Sequence, residues 1–183
     1  RIDSPALKWG LALIKIINLN VPENLSFFQI RNFLERDLTL LIENQHNQYA
    51  ENVISATDIL TEYVRQALKR TISRKFSDAG QIKVVTLDAG IENAIMGAIK
   101  KMDGGSYLAL DQPTIQKIIA STTEELDKIK ELVSELVVIT SPVVRVYFKK
   151  LVNQFYQNVT VLSFSEMDND IQIQALGNIA IDI

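Results

Sequence analysis

The chain has 183 residues, 47% of them apolar and 22% charged, with a formal net charge of −3 and no cysteine. This is enough apolar material for one large core or two small ones without covalent staples. The missing cysteines exclude a disulfide framework, a thiolate metal site and a cysteine nucleophile. The missing positive excess argues against a nucleic-acid binder.

The first 76 residues read as helical. Ser4 precedes Pro5, a cap followed by a proline at the first helical position. Leu7, Leu11, Ile14 and Ile17 recur at helical spacing, and Trp9, Leu13 and Ile16 make that helix apolar nearly all round. Such a helix is expected to be buried or to face a partner. Its longest apolar run contains Lys15 and falls well short of the roughly 20 residues of a membrane span. After a break around Pro22, a second helix carries Ile30, Phe33, Leu34, Leu38, Leu41 and Ile42 on one stripe. The polar loop that follows holds His46, the single histidine. A third helix is expected to open on the capping box Ser55 and Asp58. Its stripe is Ile59, Leu60, Tyr63, Val64, Ala67, Leu68 and Ile72. Arg65, Lys69, Arg70, Arg74 and Lys75 crowd its later turns, where the helix dipole favours cations. The ordinary reading is a solvated basic end; the sharper one is a patch for phosphate or an acidic partner.

Ser77-Asp78-Ala79-Gly80 reads as a linker, and the pattern then changes. Residues 82–87 are β-rich and predict a strand. Asp88 is placed to cap a helix bearing Ile91, Ala94, Ile95, Ala98, Ile99 and Met102, which ends at the turn Asp103-Gly104-Gly105-Ser106. Asp111 to Pro113 opens a helix with the stripe Ile115, Ile118, Ile119, Thr122, Leu126, Ile129 and Val133. Within it Glu124 and Lys128 form an i, i+4 pair worth about 0.3 kcal/mol. Residues 136–140 are a continuous apolar run, hence a buried strand. Ser141-Pro142 then starts a helix with Val144, Tyr147, Phe148, Leu151, Val152 and Phe155 on one face. Another strand is expected over 159–164. The end of the chain alternates strictly from Ile171 to Ile183, predicting a one-sided strand bent at Gly177. The fold class is therefore α+β or α/β. It comprises a helical subdomain over 1–76, a linker at 77–80, and a small α/β subdomain over 81–183 with a mixed sheet flanked by helices.

Groups for chemistry are scarce. A lone loop histidine is ordinarily solvated, and one histidine without cysteine cannot build the common zinc sites. Gly104-Gly105 extends to no phosphate-binding motif. Glu166, Asp168 and Asp170 lack the glycine and distal glutamate of a calcium loop and read as a solvated loop. No catalytic residue, cofactor or metal ligand is assigned. Two features are candidates for binding protein. One is the first helix with Trp9. The other is the helix over 143–155, whose polar side carries Arg145, Lys149 and Lys150. Their ordinary readings are a core helix and a solvated face.

Several blocks resemble one family. LTEYVRQAL at 60–68, IKVVTLDAGIENAI at 82–95 and SYLALDQP at 106–113 are similar to stretches of the FlhA/LcrD/InvA export-gate family of type III secretion, in wording closest to its flagellar members. The strongest block runs from Val138 to Ile181. It has an apolar strand, Ser141, a helix bearing Arg145, then Val161-Leu162-Ser163, Glu166 and a final β segment with Gly177. The counterpart of an upstream family element is found at Gln29-Ile30-Arg31-Asn32.

The resemblance implies the last two of four cytosolic subdomains of a bacterial inner-membrane protein, attached to the membrane through a region before Arg1. It implies a homo-oligomeric ring, typically nonameric, that receives chaperone–substrate complexes and other export-apparatus proteins, with no nucleic acid, cofactor or catalysis. No docking residue is carried over. The competing expectation is a small-molecule-binding or enzymatic α/β domain using carboxylates, with a pocket at the carboxyl ends of its strands. A polymerising structural protein is a third.

Overall fold

The computed structural model describes residues 53–182; Trp9, His46 and the first two expected helices lie outside them. The elements are β1 (Val53–Ser55), α1 (Ala56–Ala67), α2 (Lys69–Phe76), β2 (Gln81–Leu87), α3 (Ala89–Gly97), β3 (Ile99–Met102), β4 (Gly105–Leu108), α4 (Gln112–Ile129), β5 (Leu136–Thr140), α5 (Pro142–Val152), β6 (Val159–Ser163), a 3₁₀ turn (Phe164–Glu166) and β7 (Gln172–Ile179).

Both parallel and antiparallel pairing occur, in separate sheets. The main sheet is parallel throughout, in the order β6-β5-β2-β7. The smaller sheet is antiparallel, in the order β1-β4-β3.

The parallel sheet is buried on both faces, as its near-continuous apolar runs require. Adjacent residues separate the two cores. Val85, Leu87, Val138, Val159 and Val161 pack with α3, α4 and α5 through Ile91, Ile95, Ile118, Leu126, Val144 and Phe148. Ile82, Val84, Val137, Ile139 and Leu162 pack on the opposite face with Leu68, Ile72 and Met167. Helices α1 and α2 thus supply one cover of the sheet. The residues at 77–80 form a tight turn, with Asp78 and Gln81 exchanging backbone hydrogen bonds of 2.8 and 2.9 Å. Ala79 and Gly80 both take positive φ, at 47° and 79°, as the mirror-image two-residue turn demands.

Where capping residues were placed by sequence, the main ones work. The Asp88 carboxylate accepts from the Gly90 N–H at 2.8 Å, and Asp111 accepts from the Thr114 N–H at 2.8 Å. The cap expected from the Ser55 side chain lies outside the described residues. At α5 the chemistry differs. The Ser141 side chain makes no cap bond; instead its N–H donates to Glu92 Oε1 at 2.7 Å.

Four expectations are corrected. The single helix through Ile72 is split at Leu68, whose N–H is shared between the carbonyls of Val64 at 3.0 Å and Arg65 at 3.2 Å. The helix expected to reach Met102 ends at Gly97. Ile99 and Met102 imitate a helical spacing, but residues 99–102 pair with β4 in a hairpin, and the pairing outweighs the local pattern. Glu166 is not a solvated loop residue: it is fully buried.

The last correction concerns β7. Its alternation looks one-sided, yet the register shifts so that Val84 faces Ala175 and Val85 faces Gly177. Leu176 is the extra residue of a bulge at the expected bend. Because the side-chain period is two, one inserted residue exchanges the faces. Ile171 packs with the α2-side core, whereas Leu176, Ile179 and Ile181 join the other.

Candidate functional site

Among the described residues β6 is an edge strand, and its outer edge is where charge, burial and concavity meet. The cover formed by α2 and the cover formed by α5 both reach this edge, and a cleft of about 610 Å³ lies there. Ile72, Lys75 and Phe76 come from α2, Arg65 from α1, and Arg145 and Lys149 from α5; β6 contributes Val159 to Val161, β5 contributes Leu136, and the loop before β5 contributes Lys130, Val133, Ser134 and Glu135. Leu136 and Val159 are the first residues of β5 and β6, so the cleft lies near the amino ends of these strands. The carboxyl ends, where open parallel sheets usually hold ligands, face elsewhere.

Two buried ion pairs stand behind it. Arg145 is 6% exposed although it is charged, because it lies between Val144 and Val146, which are buried as well. Its Nε donates to Glu62 Oε2 at 2.7 Å and its Nη2 to Glu62 Oε1. Its Nη1 donates to the Val161 carbonyl at 3.1 Å. Arg65 Nε faces Glu166 Oε1, and Glu166 Oε2 accepts from the Ser163 N–H at 2.6 Å in a capping box. The Arg145 charge is paired and hydrogen-bonded, as a buried charge requires. Burial works against the Arg145 charge, but Glu62, Glu166 and Asp58 outweigh it and hold the guanidinium above its ordinary value. For Arg65 burial prevails, reinforced by the like charge of Arg145, and its value is lowered.

Lys149 reaches past this pair and donates to the Val159 carbonyl at 2.8 Å. Burial, then the charges of Arg145 and Arg65, pull its ammonium below the ordinary lysine value. Lys150 turns the other way, donating to the Val53 carbonyl at 2.6 Å and to Asp58 at 3.3 Å.

Of the residues singled out from sequence, the structure brings Arg145 and Lys149 to one cleft, sends Lys150 to β1, and does not describe Trp9. Arg145 belongs to the interior and not to a solvated face. Arg65, read with the solvated basic end of its helix, is likewise enclosed with Glu166. Glu62 and Glu166 went unrecognised as partners. One signal pointed to them: Arg145 is a lone charge inside Val143-Val144-Arg145-Val146-Tyr147-Phe148, and a charge so placed requires a counter-charge. Among the described residues no group of three His, Asp or Glu side chains is arranged to hold a metal ion, and no helix is long and apolar enough to cross a membrane.

Comparison with known proteins agrees with the resemblance. The Bacillus subtilis flagellar biosynthesis protein FlhA is 31% identical over 122 residues, covering 66% of this chain and 18% of that protein. The solved Chlamydia pneumoniae CdsV superposes with a TM-score of 0.65 at 32% identity, over 96% of this chain and 47% of the other; a structure of CdsV with CdsO matches at 0.60 and 29%, over 96% and 51%. The nonameric SctV-C of EPEC matches at 0.63 and 26%, over 94% and 51%. The chain thus spans under a fifth of that flagellar relative and about half of each of these solved chains. The FHIPEP family model matches residues 31–172, and the chain belongs to that family.

Proposed function

We propose that this chain is part of the cytosolic portion of a type III protein-export gate, its last two subdomains, acting without catalysis as a scaffold and docking platform for chaperone–substrate complexes and export components. The observation that carries the reading is the family match over 31–172. Two solved relatives support the mode of action: SctV-C is nonameric, and CdsV has been captured with CdsO. The expected setting is the cytoplasmic face of a bacterial inner membrane, with attachment through a region outside this chain.

Carboxylate chemistry finds little support among the described residues. The cleft has one lining carboxylate, Glu135, whereas acid–base catalysis would call for a matched pair. The test uses the complete cytosolic region of the protein. Sedimentation is expected to show a ring-sized species, and immobilised protein is expected to retain chaperone–substrate complexes from the same organism. A folded region that stays monomeric at high concentration and retains none of them removes the reading.

A further inference from the structure

We propose that the outer edge of β7 takes an extended segment of a partner protein as a further strand, a segment with apolar residues at alternate positions and a basic residue at its end. This rests on the docking function above and gives one of its contacts a place and a chemistry.

Among the described residues β7 pairs with β2 alone, at the end of the order β6-β5-β2-β7. Its backbone direction is fixed at both ends. The Gln172 N–H donates to the Gly80 carbonyl at 2.9 Å, and the Ile179 carbonyl accepts from the Asp88 N–H at 2.8 Å. Successive residues of a strand turn their peptide groups to opposite edges. Ile173 and Ala175 therefore direct N–H and C=O away from β2. This stretch precedes the Leu176 bulge, and its register is unbroken from Gln81–Gln172 to Val84–Ala175.

Sheet edges are ordinarily guarded by shortness, lysine or proline. The other outer strands here follow that rule. On β6, Lys149 and Arg145 take the carbonyls of Val159 and Val161. In the small sheet β1 has three residues, and β3 has four, with Lys100 and Lys101 among them. Strand β7 has eight residues, and 171–179 contains neither a charge nor a proline.

The register also describes the segment that fits. Ile173 lies beside Ile82 and Ala175 beside Val84. Ile82 and Val84 are fully buried in the α2-side core, whereas Ile173 is 39% exposed and Ala175 is exposed. The apolar layer on that face thus stops short at the edge, and an added strand with β-branched residues at alternate positions would continue it. The other face calls for polar residues, because Gln172 and Gln174 are exposed there beside Gln81 and Lys83. From Phe164 onwards the chain carries Glu166, Asp168, Asp170 and Asp182 and no lysine or arginine. Asp168 is paired with Arg70 at 3.4 Å, and Asp170 is exposed at the start of the strand. A basic residue of the partner belongs at that end and not beside Lys83. Backbone pairing with side-chain pockets on alternate residues is a common way for a sheet to capture a peptide.

The experiment titrates the 183-residue chain into a fluorescein-labelled peptide of alternating valine and threonine with a lysine at each end, and reads anisotropy. Saturable binding is expected. Ile173→Pro removes an outward N–H and leaves the β2 ladder intact; it should weaken binding about tenfold. Ile173→Lys, which installs the missing guard, should do the same, and it keeps the test decisive if circular dichroism shows that the proline variant does not fold. Met102→Lys, on the other sheet, should change nothing. Absent binding, or binding indifferent to both changes at Ile173, overturns the proposal. So does equal binding of the peptide N-methylated at its central residues, which would make the contact merely apolar. Equal binding of a peptide ending in glutamates overturns the basic partner. Dimerisation of the chain that Ile173→Lys abolishes would make the edge a contact between copies and overturn a foreign partner. Ring formation and chaperone capture by the full cytosolic region separate the two readings. If both fail while the peptide binds, the export reading falls and the strand site stands. If both succeed while the peptide does not bind, the strand site alone falls.

Discussion

Arg145 on α5 and Glu62 on α1 meet fork to fork, two guanidinium nitrogens on two carboxylate oxygens, 83 positions apart in the chain. The pair fastens the helical cover on one face of the sheet to the helix on the other. Removing one partner leaves a buried charge uncompensated. Glu62→Gln is therefore expected to lower unfolding stability by about 3 kcal/mol, measured by urea denaturation. The double variant Glu62→Leu, Arg145→Met should cost less than either single change, because no orphan charge remains. Additive losses would show that the two groups act separately.

Two glycines should respond in opposite directions. A Cβ on Gly105 would lie 2.4 Å from the Ile54 carbonyl oxygen, which is backbone and cannot swing aside. Gly105→Ala is expected to cost about 1–3 kcal/mol and to loosen β1 from β4, visible as faster amide exchange at residues 53–55. A Cβ on Gly97 would meet nothing within 4 Å. Gly97→Ala should stabilise by about 0.5 kcal/mol by restricting the unfolded chain.

The acid limb of stability should carry a contribution from Asp111. Hydrogen bonds from the Thr114 N–H and hydroxyl hold its carboxyl below the ordinary aspartate value. A depressed carboxyl stabilises the fold when ionised. Its contribution is complete above about pH 3.9 and is lost as pH falls through the lower folded value. Asp111→Ala should lower the urea midpoint at neutral pH, and the difference from wild type should close in strong acid. Asp111→Asn should retain much of the cap.

Lys149 predicts the reverse limb. Its folded value lies below that of the unfolded chain, so the folded state sheds its proton first. Stability relative to a Lys149→Met variant is expected to rise as pH climbs from the folded value towards about 10.4. A difference that stays flat over that range would mean the ammonium is not disfavoured in the fold.

Much of this architecture was legible because local signals agreed with tertiary ones. The strand over 136–140 and the helix opened by Asp111 combine period, cap and apolar content; the structure keeps the strand's bounds and the helix's start, and ends the helix at Ile129, short of Val133. The misreadings share a cause: spacing satisfied by two structures at once. Ile99 and Met102 fit a helix until β4 is there to pair with. The alternation after Ile171 fits one face until Leu176 is counted as an insertion opposite Val84 and Val85. The candidate site was legible only as isolated charges. Arg145 and Lys149 could be named, but Glu62 reaches Arg145 from 83 residues upstream, and Glu166 reaches Arg65 from the 3₁₀ turn. No pattern along one element encodes such a meeting.

The carbonyls that β6 turns away from its neighbour are not left open: Lys149 closes that of Val159 and Arg145 that of Val161. A rim of unclaimed peptide groups would invite a strand from another molecule, and repeated invitation is how fibres grow. Here that route is shut on one side of the sheet by the same side chains that furnish the cleft. Copies that met at this edge would then be joined through side chains. A contact of that kind ends in a ring only where the rotation between copies closes, and otherwise runs on as a helix.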